Sequence, residues 1–426
     1  MNFLGKYISF FYIICFLSTS FTTIAQDIPL PEGSPESVGM SLERLNKIDK
    51  IFNEGISEHK IPGAVIAIAR QGKLIYYKAF GMQDVEKNIP MSKDSIFRIY
   101  SMTKPLVSLA AMQLQENGKL YLSEPVGKYI PELMHMKIVI ENNLNDTENN
   151  TKIIAANNKI KIHDLFRHTS GFTYGIFGNS TAKKMLKDSK IGTLDTTHIS
   201  LKDFVSTISK LPLAYEPSTY WEYGRSIEVL GRLVEVISDS GLDHFMNRNI
   251  FEPLNMNDTG FFVPEKEWHR IAEPLRNKDE PKLIEIKNKP KLLTGGHGLV
   301  STAGDYLRFI QMLLNRGELD GKRILGPNTV DYMTSNHLGS NISRADPLYL
   351  PGPGYGFGLG FAVRETDGLS AWPGSVGEYF WGGYAGTYFW VDPKEDLVVV
   401  SMTQSVKYRV YYRMLLRNLV YQAIID

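Results

Sequence analysis

Cysteine is almost absent from this chain of 426 residues, and its single cysteine, Cys15, lies in an apolar N-terminal stretch. If that stretch is removed, the chain has no thiol for a disulfide, a thiolate nucleophile or a zinc-thiolate site. An excess of charge is also missing, because 47 basic residues balance 46 acidic ones and leave a formal net charge of +1. Without a basic stripe or a long like-charge run, the sequence predicts no nucleic-acid partner. A small-molecule partner is expected instead.

The N-terminal residues lack an apolar run long enough to cross a membrane. Lys6 precedes the apolar segment 7–17, which hydroxyl-bearing residues follow. A membrane anchor would need a spanning helix of ~20 apolar residues. Small residues up to Ala25 match a signal-peptidase site, so 1–25 is predicted to be a signal peptide cleaved after Ala25. The mature chain, 26–426, is then expected to be periplasmic or secreted, with no stable membrane span.

Three common catalytic motifs are missing as well. The sequence has no Gly-x-Ser-x-Gly elbow, no His-Glu-x-x-His pair and no glycine-rich phosphate loop between a strand and a helix. The nine histidines are scattered along the chain. No metal and no cofactor are therefore predicted.

Hydrophobic patterns place strands at both ends of the chain and helices between them. A hairpin is predicted over 64–70 and 73–80, and a terminal strand pair over 387–391 and 397–402. Helices are predicted at about 42–56, 101–117, 163–167, 201–209, 226–238, 305–315 and 409–425.

This order predicts an α/β (α+β) fold, in which helices flank an antiparallel sheet and a mostly helical lobe is inserted. The sheet lobe is expected over about 40–135 and 290–426, and the helical lobe over about 136–289. The Asn-rich stretch 142–158 is predicted to be an exposed insertion. A cleft between the lobes is the expected site.

One short motif carries chemistry, Ser101-Met-Thr-Lys104. Residues three apart on a helix share a face, so the Lys104 amine can reach the Ser101 hydroxyl. Pro105 indicates that the helix begins close to Ser101, where backbone N–H groups and the helix dipole favour negative charge. A serine hydroxyl needs a group that takes its proton, and burial makes a lysine lose its charge more readily. Lys104 can then act as a base or as a cation beside a tyrosine.

The same four-residue spacing occurs twice more. Ser57 and Lys60 lie on the tail of an amphipathic helix, and Ser180 and Lys183 lie in a polar loop. Both matches are interpreted as accidental.

Further motifs follow Ser101 along the chain in a fixed order. Residues 216–225 contain Trp-Glu-Tyr-Gly-Arg ahead of a helix, and residues 380–387 contain Phe-Trp-Gly-Gly-Tyr ahead of the terminal strands. With 164–171 and 296–305, these segments resemble the serine β-lactamase and penicillin-binding-protein superfamily. The likeness is strongest to the class C β-lactamase-like branch that includes the family VIII carboxylesterases. It covers the chain from about residue 31 to its end.

The resemblance implies a role for each matching residue. Ser101 would be the nucleophile of an acyl-enzyme, Lys104 its proton partner, and Tyr223 the general base toward Ser101 and the acid toward the leaving group. The enzyme would then be a serine hydrolase.

The segment 380–387, the third motif after Ser101–Lys104 and 216–225, would complete the site. The backbone N–H groups of Ser101 and Tyr384 would form the oxyanion hole, while Gly382 and Gly383 let their strand approach closely.

Two positions depart from the β-lactamase and peptidase pattern. Trp381 stands where those relatives carry a cation that holds the substrate carboxylate, and Arg225 stands where they carry an asparagine. An indole does not pair with an anion, so a neutral acyl ester and a carboxylesterase are favoured. Arg225 is itself a cation that can grip a carboxylate from another side, which keeps a β-lactamase or a D-alanyl-D-alanine carboxypeptidase open. An acyltransferase and a non-catalytic penicillin-binding sensor also stay open.

Some residues near the motifs have an open interpretation. His168 belongs to a His-Thr-Ser-Gly segment that the resemblance marks as mainly structural. Aromatic residues cluster at 172–177 and 379–384, and they are expected either to line an acyl pocket or to pack in the core. The oligomeric state stays open.

Overall fold

The computed structural model describes residues 28–141, 151–194, 198–344 and 349–426. The predicted signal peptide and residues 142–150 of the Asn-rich stretch lie outside the described residues. The helices are α1 (Leu42–Ser57), α2 (Thr103–Glu116), α3 (Ile162–Phe166), α4 (Thr181–Lys187), α5 (Leu201–Ile208), α6 (Ser226–Ser238), α7 (Leu242–Met246), α8 (Ala303–Leu314), α9 (Pro327–Met333) and α10 (Arg409–Tyr421). Within the four described ranges, no helix combines the length and the apolar character needed to traverse a bilayer.

The strands are short apart from those at the centre of the main sheet. They are β1 (Gly63–Arg70), β2 (Lys73–Asp84), β3 (Ile89–Pro90), β4 (Phe97–Arg98), β5 (Lys137–Ile140), β6 (Lys152–Ala155), β7 (Val300–Ser301), β8 (Glu318–Leu319), β9 (Lys322–Arg323), β10 (Tyr355–Phe357), β11 (Ala362–Arg364), β12 (Tyr379–Gly382), β13 (Tyr388–Asp392) and β14 (Leu397–Met402).

One antiparallel sheet of eight strands joins the two ends of the chain, in the order β10-β11-β12-β13-β14-β1-β2-β3. The first strand, β1, pairs with β2 on one side and with β14 on the other. β1, β13 and β14 are buried along their whole length, because helices cover the sheet, and their apolar runs are therefore continuous rather than alternating. The predicted α/β fold with an antiparallel sheet built from both ends is confirmed.

The end of the Asn-rich stretch forms a strand. β6 pairs with β5 in an antiparallel hairpin, and all of its residues are exposed. The described end of the stretch is exposed, as predicted, but the strand was not predicted, because Asn and Asp residues precede the β-forming Lys-Ile-Ile-Ala segment. The boundaries of the two lobes stay a prediction.

α2 is the buried helix that carries the Ser-x-x-Lys motif. A single 3-10 turn, Tyr100–Met102, connects β4 to α2, so the helix begins two residues after the position predicted. Pro105 lies in the first turn, where its missing N–H leaves no hydrogen bond unmade. Residues 103–112 are all buried. The start of α2 is therefore held from every side by the core.

A buried carboxylate fastens the closing helix α10 to the sheet. Glu378 lies 2.9 Å from the guanidinium of Arg364 in β11 and 2.6 Å from that of Arg417 in α10. The hydroxyl of Tyr355 donates to it at 2.5 Å. α10 ends four residues before the predicted end, because Ile425 donates its N–H to the Gly39 carbonyl instead of continuing the helix.

We expect Glu378→Gln to lower the free energy of unfolding by about 3–5 kcal/mol, because it leaves two buried guanidinium groups without a counter-charge. Chemical denaturation followed by circular dichroism measures the effect. Glu318→Gln is the matched control, since Glu318 pairs with Arg323 at the surface, where such a pair is worth at most about 1 kcal/mol. Equal destabilisation by both variants would contradict this role of Glu378 in holding α10.

Candidate active site

The side chains of Ser101, Lys104 and Tyr223 meet at the N-terminal end of α2. Lys104 Nζ lies 3.1 Å from Ser101 Oγ, and the Tyr223 hydroxyl lies 2.8 Å from the same oxygen. The helical turn brings Lys104 beneath Ser101, while Tyr223 comes from the segment before α6. Lys104 is only 1 % exposed, and Ser101 is partly exposed. The three groups that the motifs predicted therefore form one hydrogen-bonded cluster with the serine at its open side.

The backbone immediately before Ser101 is strained. Tyr100 has a φ of +44°, in the left-handed region that bulky residues rarely adopt. Its ring packs edge to face against Tyr384 with 5.5 Å between centroids, and its hydroxyl accepts the Ile284 N–H at 3.0 Å. Strain of this kind persists only where the surroundings over-determine it, and it is frequent at functional sites. The packing thus fixes the turn that presents Ser101.

Strand β12 approaches this turn closely because two glycines lie at its end. A Cβ on Gly383 would lie 2.3 Å from the Ile99 carbonyl oxygen, and a Cβ on Gly382 would lie 2.7 Å from Arg413 Cζ. Any side chain at either position would push the strand away from its neighbour. This close approach is what an oxyanion hole made from the N–H groups of Ser101 and Tyr384 requires.

Lys104 is held by two oxygen atoms besides that of Ser101. Its Nζ donates to the Gly296 carbonyl at 2.7 Å and to the Tyr174 hydroxyl at 3.2 Å. It also lies 4.6 Å from the centroid of the Tyr223 ring. From the sequence, Tyr174 was only one member of an aromatic cluster, and its contact with Lys104 was missed. These groups fix the amine at one hydrogen bond from the serine oxygen.

A buried charged cluster made of Arg225, Glu228 and His297 lies behind Tyr174. Arg225 Nη1 is 2.9 Å and His297 Nδ1 is 3.5 Å from the same Glu228 oxygen. Burial opposes ionisation of Glu228, but the contact with His297 and the Arg225 charge outweigh it and hold its pKa below the usual range. Burial and the Glu228 carboxylate raise the pKa of Tyr174 well above its usual value. The Tyr174 hydroxyl therefore stays protonated at neutral pH.

Arg225 is not placed to bind a substrate. It is 1 % exposed, and its Nη2 donates to the carbonyls of Ile191 and Thr193 at 3.3 and 3.0 Å. It is absent from the residues that line the cavity at Ser101. The expectation that Arg225 contacts substrate was wrong, because Glu228, one turn further along α6, draws the guanidinium into a buried pair.

Trp381 supplies a hydrogen bond as well as an apolar face. Its Nε1–H donates to the Tyr223 hydroxyl at 3.2 Å, and its ring packs edge to face on Phe357 with centroids 5.2 Å apart. The sequence indicated only an apolar side chain at this position. In the structure its indole also orients the oxygen of Tyr223.

The cavity beside Ser101 is small and rich in aromatic side chains. It has a volume of about 250 Å³, and its aromatic lining residues are Phe177, Tyr223, Trp372, Phe380, Trp381, Tyr384 and Tyr388. The predicted cluster 379–384 thus lines the cavity, apart from Tyr379 in the core. Two larger hollows, of about 630 and 610 Å³, lie elsewhere on the surface and contain none of the three clustered side chains. Because they lack Ser101, Lys104 and Tyr223, these hollows are not candidates for the active site despite their larger volume.

His168 packs against the cluster without reaching the serine. Its ring centroid lies 4.8 Å from that of Tyr223, and neither ring nitrogen has a hydrogen-bond partner within the described residues. Burial, together with the charge of Lys104, lowers the pKa of His168 well below its usual value. The ring is therefore neutral and supports the Tyr223 ring by packing.

The two other Ser-x-x-Lys matches have structural positions. Ser57 is the last residue of α1, and Lys60 pairs with a neighbouring glutamate at the surface. Ser180 caps α4 rather than lying in a loop, and Lys183 pairs with Glu222 at 3.1 Å. None of these residues lines the cavity at Ser101.

The comparisons with known proteins agree with this geometry. The Beta-lactamase family model matches residues 48–421, so the chain belongs to this family. Protein Rv1367c of Mycobacterium tuberculosis is 32% identical over 354 residues, which are 81% of this chain and 86% of that protein. Esterase EstB of Burkholderia gladioli is 28% identical over 384 residues, which are 84% of this chain and 90% of that protein.

A solved structure gives the same result. EstCE1, described as a hydrolase with promiscuous acyltransferase activity, has a TM-score of 0.73 at 28% identity and covers 89% of this chain and 99% of its own. The expected relation to the β-lactamase superfamily and its esterase-type members is confirmed. The chain is accordingly a serine hydrolase of the β-lactamase-related class.

We expect Tyr174→Phe to slow labelling by a fluorophosphonate about 10-fold, because Lys104 loses a hydrogen bond and such bonds to charged groups contribute about 1.5–3 kcal/mol. The time course of labelling measures the rate. Tyr76→Phe is the control, since its hydroxyl donates to Asp49 at 2.5 Å in a strand four places from β12 in the sheet. If both variants label at the wild-type rate, Tyr174 does not position Lys104.

Proposed function

We propose that this protein hydrolyses small acyl esters through an acyl-enzyme on Ser101. The observation that carries the proposal is the cluster in which Lys104 Nζ and the Tyr223 hydroxyl lie 3.1 and 2.8 Å from Ser101 Oγ beside an aromatic cavity. The names of two relatives, an esterase and a hydrolase with acyltransferase activity, support the same type of reaction.

Acylation begins when Ser101 Oγ attacks the ester carbonyl carbon and its proton passes to the oxygen of Tyr223. Before this transfer the Tyr223 oxygen is a phenolate, which the charge of Lys104 stabilises, and after the transfer Tyr223 is a neutral phenol. The N–H groups of Ser101 and Tyr384 receive the negative charge on the carbonyl oxygen, and one such donor contributes about 2.7–4 kcal/mol. Tyr223 then protonates the departing alcohol, which leaves the acyl group on Ser101.

Deacylation reverses these roles. A water molecule attacks the acyl carbon, Tyr223 takes its proton, and the Ser101 oxygen leaves and is protonated again. If another alcohol takes the place of water, the same steps transfer the acyl group. An acyltransferase is therefore the second candidate, and the promiscuous acyltransferase activity named for EstCE1 favours it.

An ester is proposed rather than a β-lactam on two grounds. The third motif offers the Trp381 indole, which donates to Tyr223, in the place where the family's β-lactamases carry a cation. One relative that matches over most of its length, EstB, is named an esterase.

The role of Ser101 is tested by fluorophosphonate labelling and by hydrolysis of p-nitrophenyl butyrate. We expect Ser101→Ala to abolish labelling and to lower ester hydrolysis by about 10³-fold or more, because the nucleophile is lost. Ser57→Ala is the matched control, since Ser57 has a lysine at the same spacing but lies outside the cavity. Undiminished labelling of the Ser101 variant would overturn the proposal.

The substrate class is tested by comparing p-nitrophenyl butyrate with a chromogenic cephalosporin. We expect kcat/KM to favour the ester by about 10-fold to 100-fold, as the loss of one charged contact to the lactam implies. Efficient turnover of the cephalosporin without turnover of the ester would show a β-lactamase instead.

We also propose that the protein is exported to the periplasm or secreted, with cleavage after Ala25. The basic start, the apolar segment 7–17 and the small residues that follow support this. N-terminal sequencing of the protein from the periplasmic fraction or the medium should give Gln26 as the first residue. A product that keeps residues 1–25 would contradict export with cleavage.

A further inference from the structure

Two arginines of α10 line the cavity at Ser101. Arg409 and Arg413 lie one helical turn apart, on one face of the helix, and both belong to the cavity wall. The next arginine on this face, Arg417, is paired with Glu378 at 2.6 Å. Arg409 and Arg413 form no such ion pair with any acidic side chain that the structure describes. Their hydrogen bonds go to backbone carbonyls instead.

The guanidinium of Arg413 is held by backbone carbonyls, and one of its N–H groups is buried without a hydrogen-bond partner among the residues that the structure describes. Its Nη2 donates to the carbonyls of Gly383 and Thr387, the second at 3.0 Å. Its Nε has no hydrogen-bond partner in the described part of the chain. The side chain is partly exposed, and partial burial lowers the pKa of Arg413 to about 10, with a smaller contribution from the charge of Arg409. Carbonyl groups carry no net charge, so the protein leaves this cation without a counter-ion.

Arg409 packs on the ring of Tyr384, whose backbone N–H group is expected in the oxyanion hole. Its guanidinium carbon is 5.3 Å from the centroid of the Tyr384 ring, and its Nη1 donates to the Val406 carbonyl at 2.5 Å. Glu280 contacts the chain just before α10, but its oxygens accept the Ser405 hydroxyl and the Val406 N–H at 2.6 and 2.7 Å. That carboxylate is therefore already used by neighbouring backbone and hydroxyl groups.

The position of these residues on α10 makes the cavity more positive. Arg409 is the first residue of the helix, and its first turn contains no acidic residue. Helix N-termini carry partial positive charge and are normally stabilised by acidic side chains. Two cations at this end repel one another and the helix dipole. An anion in the cavity would relieve both effects.

We propose that Arg409 and Arg413 form an anion subsite in the Ser101 cavity and that the substrate is an ester carrying a carboxylate. Guanidinium groups present planar sets of N–H donors that match a carboxylate. The inference rests on the proposed esterase function and revises the neutral ester expected from Trp381. A carboxylate held at α10, rather than at the position on β12 that Trp381 occupies, orients the ester carbonyl against Ser101.

The test compares kcat/KM within two pairs of esters that differ by one carboxylate. Phenyl acetate and 3-carboxyphenyl acetate differ in the alcohol, and p-nitrophenyl hexanoate and the mono-p-nitrophenyl ester of adipic acid differ in the acyl group. We expect the anionic member of one pair to be preferred about 10-fold to 100-fold, as charge-assisted hydrogen bonds imply. The pair that shows the preference identifies the side of the ester that faces α10.

Arg409→Gln should reduce this preference about 10-fold, and Arg413→Lys, which keeps the charge but loses the planar donors, should reduce it less. Lys407→Gln is the matched control: it removes a charge two residues from Arg409, but Lys407 pairs with Asp279 at the surface and does not line the cavity. The control should keep the wild-type preference. An equal loss in the control would mean that only the overall charge matters.

Binding to the Ser101→Ala protein separates the subsite from turnover. Calorimetric titration should give a Kd about 10-fold lower for 3-carboxyphenyl acetate than for phenyl acetate, and the added change Arg409→Gln should remove the difference. The absence of any carboxylate preference in binding and in both ester pairs overturns the subsite. Ser101-dependent hydrolysis of phenyl acetate would then still uphold the esterase function. Carboxylate binding without hydrolysis of any ester would instead uphold the subsite and overturn that function.

Discussion

The active site is organised around a lysine amine held one hydrogen bond from a serine hydroxyl. The 3.1 Å between Lys104 Nζ and Ser101 Oγ is maintained because α2 is buried and because Gly296 and Tyr174 hold the amine from other sides. Buried polar groups that are fully hydrogen-bonded specify one arrangement of a core. The position of the Ser101 hydroxyl is therefore set by the whole fold around α2.

Much of the fold follows from patterns that are local in the sequence. The continuous apolar runs of β1 and β14 identify buried strands, and Pro105 marks the first turn of α2. The contact between Ser101 and Lys104 also follows locally, since both lie on one helical turn. Tyr223 is different: it is 122 residues from Ser101, and only the resemblance to a family joined the two.

The remaining site residues depend on contacts that no local pattern carries. Tyr174 reaches Lys104 across 70 residues, and Arg413 reaches Gly383 across 30. Arg225 was expected at the substrate because of its motif position, whereas its pair with Glu228 holds it in the core. The three-residue spacing of that pair on α6 was visible in the sequence and is the signal that predicts such ion pairs.

Whether Ser101 carries the acyl group can be read from the protein itself during the first turnover. The protein is mixed with p-nitrophenyl acetate, quenched in acid at short times, and the acylated peptide is mapped by mass spectrometry. We predict a burst of about one nitrophenolate per protein molecule and an acetyl group on the peptide that contains Ser101. An acetyl group on a different residue, with Ser101 unmodified throughout the burst, would contradict the acyl-enzyme proposed for this site.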